Sequence, residues 1–106
     1  MDFYKELFLS EGYEKNREHT LHRLSKFQPS AAMFLVVIKE EGEDQLEILP
    51  GALLMQEHYR KQPMKVVAVT DCQADALLFI EQITKKVYDE TGTADVKSFL
   101  LERFAD

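Results

Sequence analysis

The stretch "VVAVTDCQADALL" (66–78) passes from one hydrophobic pattern to another at Thr70. Residues 64–70 are almost continuously apolar and β-branched, a pattern typical of a strand that is buried on both faces. From Asp71 to Tyr88 the apolar residues recur at helical spacing, which predicts the longest helix of the chain. In α/β proteins ligands often bind where a strand ends and a helix begins. This junction therefore indicates the fold class and marks a candidate site.

The rest of the chain supplies three further strands and three further helices. Gly92 is predicted to end the long helix in a left-handed conformation, and Thr93 to cap the helix that follows it. Segment 3–10 also fits a helical face, but we favour a strand because a clearer helix follows it. The predicted strands are 3–10, 31–40, 45–49 and 64–70, and the predicted helices are 14–27, 52–60, 71–88 and 94–104.

These elements occur in the order β-α-β-β-(short α)-β-α-α. The order predicts an α/β fold, with α+β as the alternative, in a single domain over residues 1–106. We expect a mixed sheet of about four strands with helices packed on it. Strands 31–40 and 45–49 form a hairpin in this prediction, and its acidic tip around Gly42 projects into water.

Composition and charge narrow the functional classes. The chain has 13 basic and 19 acidic side chains, a net charge of −6, which opposes general binding to nucleic acid or anionic lipid. No apolar run reaches the roughly 20 residues of a membrane-spanning helix. The first residues lack the positive charge of a signal peptide, and a single cysteine excludes an internal disulfide. We therefore expect a cytoplasmic protein that binds neither nucleic acid nor membrane.

The junction itself supplies the first candidate ligand-binding residues: Thr70, Asp71, Cys72 and Gln73. Thr70 and Gln73 match a capping box, in which the threonine hydroxyl would accept a hydrogen bond from the Gln73 N–H. Cys72 has no second cysteine near it, and we interpret it as a small buried apolar residue that the function does not require. No glycine-rich phosphate-binding loop occurs, so a nucleotide site is not predicted.

A second group of candidate binding residues lies in "QEHYRK" (56–61), between two prolines: Glu57, His58, Tyr59 and Arg60. Polar and aromatic residues that are concentrated on a connection indicate function more strongly than the same residues in a core. Glu57 and His58 could perform acid–base chemistry if they met in a pocket, although neighbouring helical residues point about 100° apart. The other interpretation is a surface connection that Tyr59 anchors to the sheet.

Two further patterns occur on the helix predicted over 14–27, and neither predicts a specific site. His19 and His22 stand three residues apart on a predicted helix, but no third metal ligand accompanies them. The same helix is basic, yet no aromatic ladder accompanies its cations, so a solvated surface is the ordinary interpretation. The sequence accordingly predicts no metal, no cofactor and no catalytic set.

The favoured hypothesis is a non-catalytic α/β domain that acts by self-association, as a homodimer, or by binding another protein. Phe99 and Leu101 lie off the inward face of the last predicted helix, and the helix before it is apolar around much of its girth at "ALLFI" (76–80). We therefore expect leftover apolar surface on both helices. The alternative is a small-molecule-binding protein or minor enzyme that uses the Thr70–Asp75 junction together with segment 56–61.

Overall fold

Four strands form one mixed sheet in the computed structural model, which describes residues 1–30, 32–38, 45–61 and 63–104. The strand order is β1-β4-β2-β3, with β1 parallel to β4 and β2 antiparallel to both β4 and β3. The α/β class and the four-stranded mixed sheet are thus confirmed. The predicted acidic turn at 40–44 lies outside the described residues. The strands are β1 (Asp2–Leu9), β2 (Phe34–Ile38), β3 (Leu46–Pro50) and β4 (Lys65–Thr70).

Helices cover both faces of this sheet. α4 and α5 pack on the first face, and α2 with the 3₁₀ helix packs on the second. Covering on both faces explains why β2 and β4 read as unbroken apolar runs, since residues 35–38 and 66–69 are all buried. The helices are α1 (Glu11–Glu14), α2 (Arg17–Ser25), a 3₁₀ helix (Gly51–Met55), α3 (Glu57–Arg60), α4 (Gln73–Thr91) and α5 (Val96–Phe104).

Strand β1 is irregular along its pairing with β4. Phe3 pairs with Val66 and Phe8 with Ala68, so residues 4–7 stand opposite Val67 alone. Such bulges are common on edge strands, where they bend the strand and break its regular row of backbone groups. The bend lies beside the site described below.

The single helix predicted over 14–27 is divided. Asn16, with φ −126° and ψ 49°, leaves the helical conformation and separates α1 from α2. At the far end Phe27 adopts φ 58°, while the Phe27 and Gln28 N–H groups donate to the carbonyls of Leu24 and Arg23. This is a Schellman ending with phenylalanine where glycine is usual. Packing of Phe27 against the second-face core offsets the backbone strain.

The end of the chain corrects two sequence predictions. α5 begins at Val96, and its first turn is capped by Asp95 instead of Thr93, because Asp95 Oδ1 accepts from the Ser98 N–H at 3.2 Å. Phe99 is only 7% exposed and lies under the Arg103 guanidinium, 3.4 Å from its ring centroid. Leu101 also packs on the core. The prediction of leftover apolar surface on α5 is therefore wrong, since α5 packs against α4 and β1.

Candidate functional site

The junction after β4 differs from the predicted capping box. Thr70 is the last residue of β4, fully buried, and its Oγ1 donates to the Cys72 carbonyl at 2.8 Å. Cys72 occupies the N-cap position in an extended conformation, without a side-chain capping bond, and Gln73 is the first helical residue. The prediction failed because Thr70, which ends a buried strand, uses its hydroxyl to hold the turn, three residues before the helix begins at Gln73.

Cys72 is exposed, so its interpretation as a buried filler is wrong. The chain leaves the sheet at Asp71, and the inward positions of α4 are taken by Ala76, Ile83 and Val87. The thiol is left on the solvent side of the turn.

Ser10 ties this junction to the end of β1. Its N–H donates to the Val69 carbonyl at 3.0 Å, and its Oγ accepts from the Asp71 N–H at 3.2 Å. Ser10 is itself buried. Sequence reasoning missed this residue, although one signal was available: parallel strands end at the same edge of a sheet, so the residues that follow β1 and β4 meet.

A pocket of about 290 Å³ opens beside the junction, and we call it the upper pocket. Its apolar wall consists of Phe8, Leu78 and Phe79, and its polar rim includes three acidic residues and no basic one. The lining residues are Phe8, Ser10, Glu11, Asp71, Asp75, Leu78, Phe79 and Gln82.

A second pocket of about 510 Å³, the lower pocket, continues from the upper one and shares Phe8, Phe79 and Gln82 with it. Together the two pockets form a groove between the edge strand and the long helix, which we call the β1–α4 groove. The remaining residues that line the lower pocket are Tyr4, Glu6, Leu7, Leu9, Glu14, Arg17, Ile83 and Lys86.

Large apolar side chains are exposed along this groove. Phe8 is 43% exposed and Leu78 49%, and the Phe8 ring stacks on Phe79 with 5.6 Å between centroids. Sequence reasoning missed Phe8, because it belongs to an apolar run that indicates a core, whereas Leu78 lies in the 76–80 stretch where the sequence predicts leftover apolar surface. In the structure both side chains are about half-exposed, and both line the upper pocket.

The charges of the two pockets differ. In the lower pocket Arg17 pairs with Glu14 at 2.7 Å, and Lys86 lies 4.0 Å from Glu6, so acids and bases balance. Burial raises the pKa of Tyr4 above its ordinary 10.0, and the negative charge of Glu6 raises it further. In the upper pocket Glu11 reaches only the exposed Lys15, at 3.9 Å. That pocket therefore carries a negative potential beside an apolar wall.

Segment 56–61 lies apart from this groove. Tyr59 packs on the second-face core, as expected for an anchor, and the His58 ring meets it edge-on at 5.2 Å. Arg60 donates to the Leu54 carbonyl at 3.4 Å, and Glu57 pairs with Lys61 at 2.9 Å. None of Glu57, His58, Tyr59 and Arg60 lines either pocket of the groove. The structure thus does not bring the two groups of candidate residues together.

Possible metal ligands cluster at the junction and not on the basic helix. Asp71, Cys72 and Asp75 place two carboxylate oxygens and one sulfur within 4.8 Å of one another. Within the described ranges no comparable group includes His19 or His22, both exposed on α2. Three exposed ligands fall short of the four protein ligands of a structural zinc site.

Comparison with known proteins adds no family to this description. No protein-family model, curated protein or solved structure matches the chain. Among the described residues, no helix combines the length and apolar character needed to cross a membrane.

Proposed function

We propose that this chain acts by binding protein, without catalysis, through the β1–α4 groove. The observation that carries the proposal is the exposure of Phe8 and Leu78 on either side of Phe79. Exposed apolar side chains that are contiguous and rimmed by polar residues are characteristic of interaction sites. A lone exposed residue would carry no such meaning.

The groove is built on rigid parts of the fold, which supports this proposal. Phe8 lies on β1, and Leu78 and Phe79 lie on α4 close to the buried Ala76 and Ile83. A preorganised surface loses little conformational entropy on association, so its apolar area contributes more fully to affinity.

The alternative, a small-molecule-binding protein or minor enzyme, has less support. It requires the Thr70–Asp75 junction and segment 56–61 to converge, and Tyr59 packs on the second face of the sheet whereas α4 packs on the first. Within the described residues no histidine lines the groove, so an acid–base pair of the usual kind is not assembled there. Binding of a small cation at Asp71 and Asp75 is the form of the alternative that the charges favour.

Protein binding has two forms here, a homodimer and a complex with another protein. In this proposal both forms use the β1–α4 groove as the binding surface, and neither uses α5. The proposal includes the cytoplasm as the compartment, because an exposed unpaired thiol such as Cys72 persists in a reducing environment. The acidic upper pocket agrees with a partner that is neither nucleic acid nor anionic lipid.

Sedimentation velocity across micromolar concentrations tests the homodimer. The chain should carry Cys72→Ser, so that intermolecular disulfides do not imitate association. Leu78→Gln should abolish any dimer, whereas Leu77→Gln should not, because Leu77 is equally exposed on α4 but lines neither pocket. A mass of one chain at every concentration removes the homodimer. A dimer that Leu77→Gln disrupts as strongly as Leu78→Gln would place the interface elsewhere.

A further inference from the structure

We infer that the occupant of the β1–α4 groove is a segment of a partner protein in which lysine or arginine stands near a large apolar residue. This inference rests on the proposed function and names the chemistry of the partner. It follows from the charge difference between the two pockets, from the Phe8 and Phe79 side chains that they share, and from the irregular edge of β1.

The acidic rim of the upper pocket favours a cation. Among the described residues no ion pair neutralises Asp71 or Asp75, and Glu11 shares its charge only with an exposed lysine. The apolar wall of Phe8, Leu78 and Phe79 stands next to these acids. Lysine and arginine combine an apolar stem with a charged head, so their side chains match a wall and rim of this kind. A cation held near the ring faces of Phe8 and Phe79 gains a further attraction.

The lower pocket suits a different side chain. Its acids and bases are already paired with one another, through Arg17 with Glu14 and Lys86 with Glu6. On the α4 side of the sheet its apolar lining is Phe8, Phe79 and Ile83, because Leu7 and Leu9 pack into the second-face core. An apolar side chain from the same segment fills this space without disturbing the pairs.

The partner segment binds through its side chains and does not add a strand to the sheet. The bulge at residues 4–7 interrupts the outer edge of β1. Arg17 also donates to the Leu7 carbonyl at 3.3 Å, so that acceptor is already used. Strand addition requires a regular row of free backbone groups, which this edge does not offer.

A second copy of the chain is a poorer occupant of the upper pocket. Two-fold pairing brings the same patch of each copy together, so the rim acids of one copy would face those of the other. Like charges that face each other across an interface oppose association. A basic segment meets no such repulsion.

Selection from a displayed library of random peptides on the immobilised chain tests this inference. We expect the selected peptides to carry lysine or arginine within a few residues of a large apolar side chain. A synthetic peptide from that selection should bind the double variant Asp71→Asn/Asp75→Asn roughly tenfold more weakly than the unaltered chain. Its binding should also weaken with added salt.

The matched control is Asp89→Asn/Glu90→Gln, which removes the same charge from the other end of α4 and should leave binding unchanged. Circular dichroism melts confirm that the variants fold. Peptides without basic residues, equal loss in the control, or no enrichment over background would each overturn the inference. If Leu78→Gln abolishes binding but the aspartate variant does not, the proposed function stands and only the chemistry of the partner is wrong. If Leu78→Gln has no effect, the groove itself is wrong.

Discussion

Thr70 illustrates how one residue changes its role with the position of an element boundary. The sequence pattern treats its hydroxyl as a helix cap, whereas in the structure the hydroxyl donates to the Cys72 carbonyl within the turn. The residue is fully buried, so its hydroxyl needs a partner and the turn supplies one. The hydrogen bond therefore stabilises the exit from β4 and not the first turn of α4.

Thr70→Val removes this hydrogen bond while it preserves the shape of the side chain. We expect the free energy of unfolding to fall by about 1 kcal/mol, the usual net contribution of such a bond. Urea denaturation of the two proteins measures the difference. Gln73→Ala is the control and should cost little, because the Gln73 side chain is exposed. A midpoint unchanged by Thr70→Val, or an equal loss in the control, would contradict this role for the hydroxyl.

At the scale of elements, α4 ends as its sequence predicts. Gly92 has φ 76°, and its N–H donates to the Tyr88 carbonyl at 2.8 Å. A methyl group on Gly92 would meet no atom within 4 Å, so a substitution there reports the backbone conformation alone. Gly12 also has open space around it but lies inside α1 without a positive φ.

Replacement of Gly92 and of Gly12 by alanine should change the free energy of unfolding in opposite directions. Gly92→Ala should lower the free energy of unfolding by about 1 kcal/mol, because a side chain disfavours the left-handed conformation. Gly12→Ala should raise it by roughly 0.5 kcal/mol, because alanine favours the helix and restricts the unfolded chain. Denaturant midpoints of the two variants and the unaltered chain provide the test. Destabilisation by both would show that Gly12 is not helical.

The start of α5 depends on the charge of Asp95. Its carboxylate accepts from the Ser98 Oγ at 2.8 Å and from the Ser98 N–H at 3.2 Å, and these bonds lower the pKa of Asp95 below its ordinary 3.8. A carboxyl group with a lowered folded-state pKa stabilises the fold fully above the unfolded value. That contribution is lost as the pH falls through the folded pKa.

Asp95→Asn should therefore be less stable than the unaltered chain at pH 7, and the difference should shrink as the pH falls below 3.8. Asparagine can still cap the helix, so the comparison isolates the charge. Denaturation midpoints at both ends of this pH range measure the effect. Glu81→Gln changes an exposed residue in the middle of α4 and serves as the control. Its stability relative to the unaltered chain should not change with pH in this way. If the stability difference between Asp95→Asn and the unaltered chain stayed constant with pH, the role of the Asp95 charge in capping α5 would be contradicted.

Periodicity predicted most elements because strands and helices depend on the order of apolar residues. Residues 64–70 and the long helix appear nearly where their patterns place them, and segment 3–10 is the favoured strand. Boundaries were less predictable. Several polar residues can cap each helix, and the choice between Thr93 and Asp95 depends on which backbone N–H each side chain reaches. The break at Asn16 lies next to tertiary contacts of Tyr13, whose hydroxyl is 2.9 Å from Ser30 Oγ, and the sequence pattern shows no such contact.

At the scale of the whole molecule, the groove could not be predicted from the pattern alone. It depends on strand order, which places β1 at an edge beside β4, and on the packing of Phe8 against Phe79 of α4. The junction was predicted as a candidate site, but its neighbours across the sheet were not. Segment 56–61 was equally polar in sequence, yet it lies on connections that cover the other face of the sheet.

Phe8 and Leu78 line one pocket together, whereas Met55, Leu77 and Tyr88 are also exposed but line neither pocket of the groove. The sheet is covered on both faces, and the last helix uses Phe99 and Leu100 to complete the first-face core. Phe8 on β1 and Leu78 on α4 remain about half-exposed at the surface. Apolar residues retained on a rigid, acidic-rimmed surface are the central reason to regard this chain as a binding module.

Chemical-shift mapping by NMR tests that central claim most directly. The isotopically labelled chain is followed over a dilution series and then titrated with the peptide selected by display. We predict that the largest amide shifts fall within residues 8–11 and 71–82. Leu78→Gln should remove these shifts, whereas Leu77→Gln should not. Largest shifts in residues 56–61 or in α5, or no shifts in either series, would contradict it.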